Sequence, residues 1–213
     1  MILTGSEIEK EVKAGKIIID PFDPECLGPN SYDIALGPNI KLYELAPPDS
    51  LIRQRTIMST DGKPIQAVVP SVIDPSDPNH PIFDVVMPES GLILWPDKLY
   101  LAHTVEAFGS DHFVPRITGR SSFGRYGVNV HCTAGFGDLG YKSQWTLEIT
   151  VMQPILLRPG MRIAQAYFYE VKGEKTKLYR GKYLNAKGVI ESRAYEEIKK
   201  PAPPQQPGSQ QKH

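Results

Sequence analysis

The sequence predicts a mainly β protein, a barrel or sandwich of short strands with very little helix. From Gly91 onward, apolar residues alternate with polar ones in short runs, the period of strands that bury one face. Pro and Gly, 20 and 18 of the 213 residues, fall between many of those runs and mark turns. Only one segment, near the start, has the spacing and capping of a helix, so sheet packing is left to build the core.

In chain order, Thr4-Gly5-Ser6-Glu7 has the form of a capping box opening a helix. Ile8 and Val12 supply its apolar stripe, and Gly15 is a natural stop. Residues 17–19 read as a short strand, 21–29 as a loop rich in breakers, and 31–36 as a strand ended by Gly37-Pro38. Residues 45–90 differ in character. Prolines at 47, 48, 64, 70, 75, 78, 81 and 88 leave room only for short strands, such as 66–69 and 82–87. This stretch reads as a proline-rich insertion or covering region within one domain spanning 1–200. Further strands are expected at 92–95, 99–105, 114–118, 128–134, 145–151 and 155–157. After the turn Arg158-Pro159-Gly160 comes another at 161–169. Residues 173–193 are basic and polar, which fits a solvated extension. Residues 201–213 are too poor in apolar side chains to build a core and are expected to be disordered.

Lys and Arg number 24, as do Asp and Glu, so the net charge is zero. Charge therefore gives no ground for a nucleic-acid or membrane partner, and any anion site must be a local cluster. Cys26 and Cys132 lie far apart, with neither a disulfide framework nor metal-ligand spacing. The opening residues resemble neither a signal nor a transit peptide, and no apolar run is long enough to cross a bilayer. A reduced, cytoplasmic setting is expected.

Chemistry-bearing residues concentrate at 119–148, GRSSFGRYGVNVHCTAGFGDLGYKSQWTLE. If 120–125 forms a helical turn, Ser121 and Arg125 share a face. Arg120, Ser122 and the backbone N–H groups of that turn would suit an anion, although an ordinary capped surface turn fits the same spacing. In 128–134, Val128, Val130, Cys132 and Ala134 alternate with Asn129, His131 and Thr133, a half-buried strand in which His131 is either a base or a hydrogen-bonded strand histidine. Gly135, Gly137 and Gly140 would let the backbone approach a ligand, with Asp138 available to a sugar hydroxyl and Tyr141 to a ring. A plain hairpin turn explains the glycines equally. In 145–151, Trp145, Leu147, Ile149 and Val151 form the apolar face and Thr146, Glu148 and Thr150 the other. If that second face lines a cleft, desolvation raises the Glu148 pKa and makes it a proton-transfer group.

Taken together, GRSSFGR, VHCTAGFGDLGY, TLE and LRPGMRIAQAYF resemble the dCTP deaminase branch of the dUTPase-like nucleotide hydrolases. The resemblance extends to residues 29–37, PNSYDIALG, and to 181–188, GKYLNAKG. It implies a distorted jelly-roll β-barrel with a short N-terminal helix, in which residues 173–193 form a C-terminal flap over bound nucleotide. It implies a homotrimer with active sites between subunits, Ser121 and Arg125 coming from one chain and Glu148 from its neighbour. The substrate implied is dCTP, with dUTP and dTTP as further nucleotides, and Mg²⁺ carried on the triphosphate.

The zinc-deaminase signature, H-x-E followed by P-C-x-x-C, is missing from the sequence, so a deaminase built from it must activate water by acid–base chemistry without zinc. The resemblance then assigns roles. Glu148 moves the protons, Ser121 positions the water, and Arg125 stabilises charge. Backbone groups of Cys132, Thr133 and Ala134, next to His131, read the base. Asp138 accepts the sugar 3′-hydroxyl and Tyr141 packs on the deoxyribose. Arg120, Ser122, Gln165, Tyr179 and Lys182 reach the phosphates.

Some positions depart from the family. Gly137 stands where an aliphatic residue is usual, which is expected to loosen the loop. Ala186 replaces a flap glutamine, and Leu139 a common proline. Gly135 stands where members that stop at dUTP often carry histidine, and resembles members that release dUMP. The main expectation is deamination of dCTP to dUTP and ammonia. The alternatives are a bifunctional deaminase and diphosphohydrolase forming dUMP and pyrophosphate, a plain dUTPase, and a non-catalytic nucleotide-binding regulator.

Overall fold

The computed structural model describes residues 1–43, 45, 54–58, 63–68, 72–79, 81–174 and 177–198. The chain is mainly β with a short N-terminal helix, and divides into two compact units, Met1–Glu44 with Pro81–Glu191 and Leu45–His80 with Ser192–His213. The expected tail at 201–213, and Val69 of the strand expected at 66–69, lie outside the described residues.

The larger unit opens with helix α1 (Gly5–Lys13), where the Thr4 hydroxyl accepts the Glu7 N–H as the capping box requires. Ile8 is fully buried beneath it, and the helix stops just before Gly15. A six-stranded sheet follows from β1 (Ile17–Asp20), β3 (Asn39–Tyr43), β6 (Ile82–Val86), β8 (Tyr100–Ser110), β10 (Val128–Asn129) and β11 (Lys142–Val151). A three-stranded sheet has the order β2 (Tyr32–Ala35), β13 (Arg162–Glu170), β9 (Phe113–Gly119). β7 (Leu92–Leu94) pairs with β12 (Ile155–Leu157). The core lies between these sheets, with Tyr32, Phe108, Phe168, Leu147 and Ile149 wholly enclosed.

β8 is the central strand. It carries β11 along one edge, and on the other β3 at Tyr100 and Leu101 and β1 from Ala107 to Ser110. With both edges paired and both faces covered, it is buried almost continuously. The sequence reading ends this strand at residue 105, but it runs on to Ser110. The inward carboxylate of Glu106 is satisfied, accepting the Ala35 N–H at 3.0 Å, while the Thr104 hydroxyl donates to the Glu106 carbonyl at 2.7 Å. Burial raises the Glu106 pKa, against its two backbone hydrogen bonds and the nearby Arg162 charge.

β3, which sequence alone did not identify, begins just past Gly37-Pro38 and pairs along its length with β6. The strand expected at 128–134 is a correction. It ends at Asn129, and Cys132 and Ala134 are exposed rather than buried. In the smaller unit, β4 (Gln54–Met58), also unanticipated, pairs antiparallel with β5 (Pro64–Val68), which starts earlier than expected. A short helix, α3 (Tyr195–Ile198), follows Arg193, whose guanidinium pairs with Glu196.

His103 makes the interior sensitive to pH. It is 5% exposed, and its Nδ1–H donates to the Thr104 carbonyl at 2.9 Å. Its Nε2 is buried without a partner, so a second proton there would have nowhere to donate. Burial lowers its pKa below the ordinary 6.5, outweighing the Thr104 bond. The unfolded chain therefore takes up this proton first as pH falls, and stability present above pH 6.5 is lost on descending from it. The melting temperature is expected to fall as the pH is lowered below 6.5, and His103→Gln to lose that component; thermal melts at a series of pH values test it.

Candidate active site

The alternation in β11 divides its side chains cleanly. Trp145, Leu147, Ile149 and Val151 enter the core, while Gln144, Thr146, Glu148 and Thr150 occupy the half-exposed face, as the sequence spacing predicts. Glu148 therefore stands on the strand's polar side, opposite Leu101 of β8.

On its other edge β11 receives β10, paired through Val128 with Val151 and Asn129 with Thr150. The Glu148 N–H then donates to the Val130 carbonyl at 3.0 Å. At Cys132 the ladder is diverted. Its N–H donates to the Glu148 carboxylate at 2.9 Å instead of to a β11 carbonyl. That is why the strand ends where alternation alone would continue it. Partial desolvation by the surrounding loop, and then the Glu148 charge, raise the pKa of the exposed Cys132 thiol.

The released chain crosses to the other sheet. Gly135 accepts the Ile117 N–H at 2.8 Å, and the Gly137 N–H donates to the Pro115 carbonyl at 2.9 Å. Residues 130–137 thus bridge β11 and β9, with Cys132, Thr133 and Ala134 exposed on the crossing. His131 is half-buried there, in a loop rather than a strand, and its Nδ1 is enclosed without a partner. A Cβ on Gly135 would lie 2.6 Å from the Ile117 oxygen and 2.7 Å from the His131 Nε2, so this position has no room for a side chain as the loop stands.

Asp138 follows, exposed, in a turn where its carbonyl accepts the Tyr141 N–H at 3.1 Å. Gly137 does not loosen this loop, contrary to expectation. It is buried and backbone-bonded, and a Cβ there would strike the Trp145 indole at 2.6 Å. Tyr141 packs edge-on against Trp145 and against Tyr179, and burial pushes its hydroxyl pKa up to about 12. It offers a neutral ring at any working pH.

The basic turn is helix α2 (Ser121–Gly124), capped by the Arg125 N–H donating to the Ser121 carbonyl at 3.1 Å. Ser121, Ser122 and Arg125 are exposed. Arg120 is engaged within the chain. One guanidinium nitrogen donates to the Arg162 carbonyl at 2.9 Å, and the other pairs with Asp33 at 3.1 Å. Asp33, which the sequence reading passed over, lies opposite Gln165 in the β2–β13 pair, and Gln165 accepts the Ser31 hydroxyl at 3.5 Å. The outward position of Asp33 between buried Tyr32 and Ile34 was the available signal.

Residues 178–190 run beside β11. The Tyr179 N–H donates to the Leu139 carbonyl at 2.7 Å, and the Lys182 ammonium lies 5.3 Å from the Tyr183 ring centroid. Ser143, Gln144 and Thr146 hold the Ala186, Gly188 and Ile190 N–H groups through their side chains. No group of three or more His, Cys, Asp or Glu able to hold a metal ion occurs among the described residues.

With this geometry in place, comparison with known proteins is informative. The family model described as dCTP deaminase-like matches residues 2–171. The chain belongs to the dCTP deaminase-like family. A protein of Clostridium beijerinckii named "dCTP deaminase, dUMP-forming" is 38% identical over 200 residues, covering 94% of this chain and 100% of that protein. A Leptospira biflexa protein of the same name is 37% identical, covering 94% of this chain and 99% of the other. Among solved structures, the 2′-deoxycytidine 5′-triphosphate deaminase of Agrobacterium tumefaciens superposes with a TM-score of 0.53 at 18% identity. It covers 78% of this chain but 47% of that longer one, and it shows the shared fold.

The tightness at Gly135 has a measurable outcome. Gly135→Ala forces the Ile117 strand edge or His131 to move, an overpacking cost of about 1–3 kcal/mol. The melting temperature is expected to fall by several degrees, readable by calorimetry.

Proposed function

We propose that this protein converts dCTP to dUMP, pyrophosphate and ammonia, and so is a bifunctional deaminase and diphosphohydrolase. The observation that carries this product is the near-full-length similarity to relatives named dUMP-forming. It favours the bifunctional alternative over deamination that stops at dUTP. Glycine at 135, the residue that resembles dUMP-releasing members, supports the same choice.

In this reading the first step consumes one water. Glu148 accepts a proton from the water as its oxygen bonds to C4 of cytosine, then returns a proton to the amine, which leaves as ammonia. The hydrogen bond between the Glu148 carboxylate and the Cys132 N–H supports it by placing the base-reading loop beside the proton carrier. Ser121 orients the water, and Arg125 stabilises negative charge. A second water then cleaves between the α- and β-phosphates of dUTP, giving dUMP and pyrophosphate. Asp138 and Tyr141 hold the deoxyribose. Ser122, Tyr179 and Lys182 reach the phosphates of the Mg²⁺-bound nucleotide. Arg120 and Gln165 act there with Asp33, or through their hold on β2 and β13.

The site is shared between subunits of a homotrimer in this reading. Tyr126 and Met152, 59% and 76% exposed, are apolar side chains at the end of the basic turn, where the Met152 N–H donates to the Gly127 carbonyl at 3.0 Å, and they suit a covered interface. Cys26 and Cys132 are unpaired, which suits the reducing cytoplasm.

Incubation with dCTP and Mg²⁺ is expected to yield ammonia, dUMP and pyrophosphate in equal amounts. Accumulation of dUTP would restore the monofunctional reading, and failure to release ammonia would exclude deamination. Glu148→Gln keeps an acceptor for the Cys132 N–H and is expected to remain folded while losing ammonia release about 10²–10⁴-fold. Mixing Arg125→Ala chains with Glu148→Gln chains is expected to recover part of the activity through intact hybrid sites. No recovery after confirmed subunit exchange would count against sharing.

A further inference from the structure

The indole of Trp145 has a place in the site that the reaction scheme does not use. It is 5% exposed and fixed from several directions. Its ring stacks on Phe108 with centroids 4.8 Å apart and planes 3° from parallel. Its Nε1–H donates to the Phe108 carbonyl at 3.2 Å, and its backbone N–H donates to the Thr104 hydroxyl at 2.9 Å. The β11–β8 register shifts between Gln144 and Thr146, so an irregularity sits at Trp145, the kind of feature that re-aims a side chain.

This anchored ring touches both ends of the turn that carries Asp138. Tyr141 rests edge-on against it, at 5.1 Å and 88°. At the other end the indole Cη2 would lie 2.6 Å, and the Pro115 Cγ 3.0 Å, from a Cβ on Gly137. The resemblance leads one to expect an aliphatic side chain at 137. Here the indole fills that space from the strand below.

We propose that Trp145 is a positioning residue for the nucleotide sugar, with Gly137 as its obligatory counterpart. It holds the Tyr141 ring and the Asp138 turn at the spacing that a 2′-deoxyribose fits. A ribose, with one more hydroxyl, meets a platform that does not yield. The proposal rests on the reading of Asp138 and Tyr141 as sugar contacts.

The test measures ammonia release from dCTP and from CTP, with thermal melts, on the full chain. Trp145→Val is expected to raise the KM for dCTP about tenfold, with kcat changed less than about threefold, because the loss falls on sugar placement rather than proton transfer. The dCTP-to-CTP ratio of kcat/KM is expected to fall about tenfold. Gly137→Ala, which pushes on the same contact with one methyl group, is expected to lower that ratio in the same direction and serves if Trp145→Val does not fold. The double variant Gly137→Ile/Trp145→Val refills the space from the loop side and is expected to regain most of the lost selectivity. Variants that melt earlier but keep the native ratio would overturn the proposal, since a merely structural tryptophan lowers stability without changing sugar selectivity. Tyr141→Ala separates the two readings. If it lowers the ratio and neither Trp145→Val nor Gly137→Ala does, only the role of Trp145 falls. If Tyr141→Ala leaves the ratio intact, the sugar-contact reading itself fails and the proposal with it.

Discussion

The larger unit depends on β11 keeping one face dry. Trp145, Leu147, Ile149 and Val151 are buried on it, each worth about 1.5–3 kcal/mol of transfer free energy. A slip of one residue would drive Thr146, Glu148 and Thr150 into the core and lift the aromatic and aliphatic residues out. Register is therefore strongly specified, and with it the position of Glu148. The carboxylate that the proposed chemistry needs is placed by the apolar neighbours on either side of it in sequence.

The same strand sets the path of the loop beside it. A backbone ladder continued past Val130 would have hidden residues 132–134 within a sheet. Because the Glu148 carboxylate takes the Cys132 N–H, the chain leaves β11 there and crosses to β9, where Gly135 and Gly137 bond to Ile117 and Pro115. One carboxylate thus ends a strand and presents an exposed stretch of backbone. Beneath this surface the core tolerates polar groups that are individually satisfied, as at Glu106 and Thr104, while His103 keeps one nitrogen unmet.

Much of this is legible in the chain before folding. The period-two pattern of 145–151 and the capping box at Thr4 are local, and local signals suffice for them. The strand drawn through residue 134 fails because periodicity cannot foresee that an N–H will prefer a side chain sixteen residues onward. The pairing of Arg120 with Asp33 is equally invisible, since it joins residues 87 positions apart in the chain. β8 is drawn too short because a buried glutamate looks like an interruption until its partner, the Ala35 N–H, is known. Gly137 is misjudged for a related reason. A glycine read alone suggests slack, whereas beside Trp145 it marks a position already filled.

The stretch from Ala186 to Ile190 is held in an asymmetric way. β11 grips it with the side chains of Ser143, Gln144 and Thr146 and with the Gln144 backbone N–H, while the strap contributes backbone groups: the Ala186 N–H and carbonyl, the Gly188 N–H, and the Ile190 N–H and carbonyl. Recognition of this kind is blind to most of what the strap is made of. Apart from the buried Val189, its side chains are free to drift without changing how it is seated. Alanine at 186, where the family resemblance leads one to expect glutamine, keeps the backbone N–H and carbonyl that seat the strap on Ser143 and Gln144.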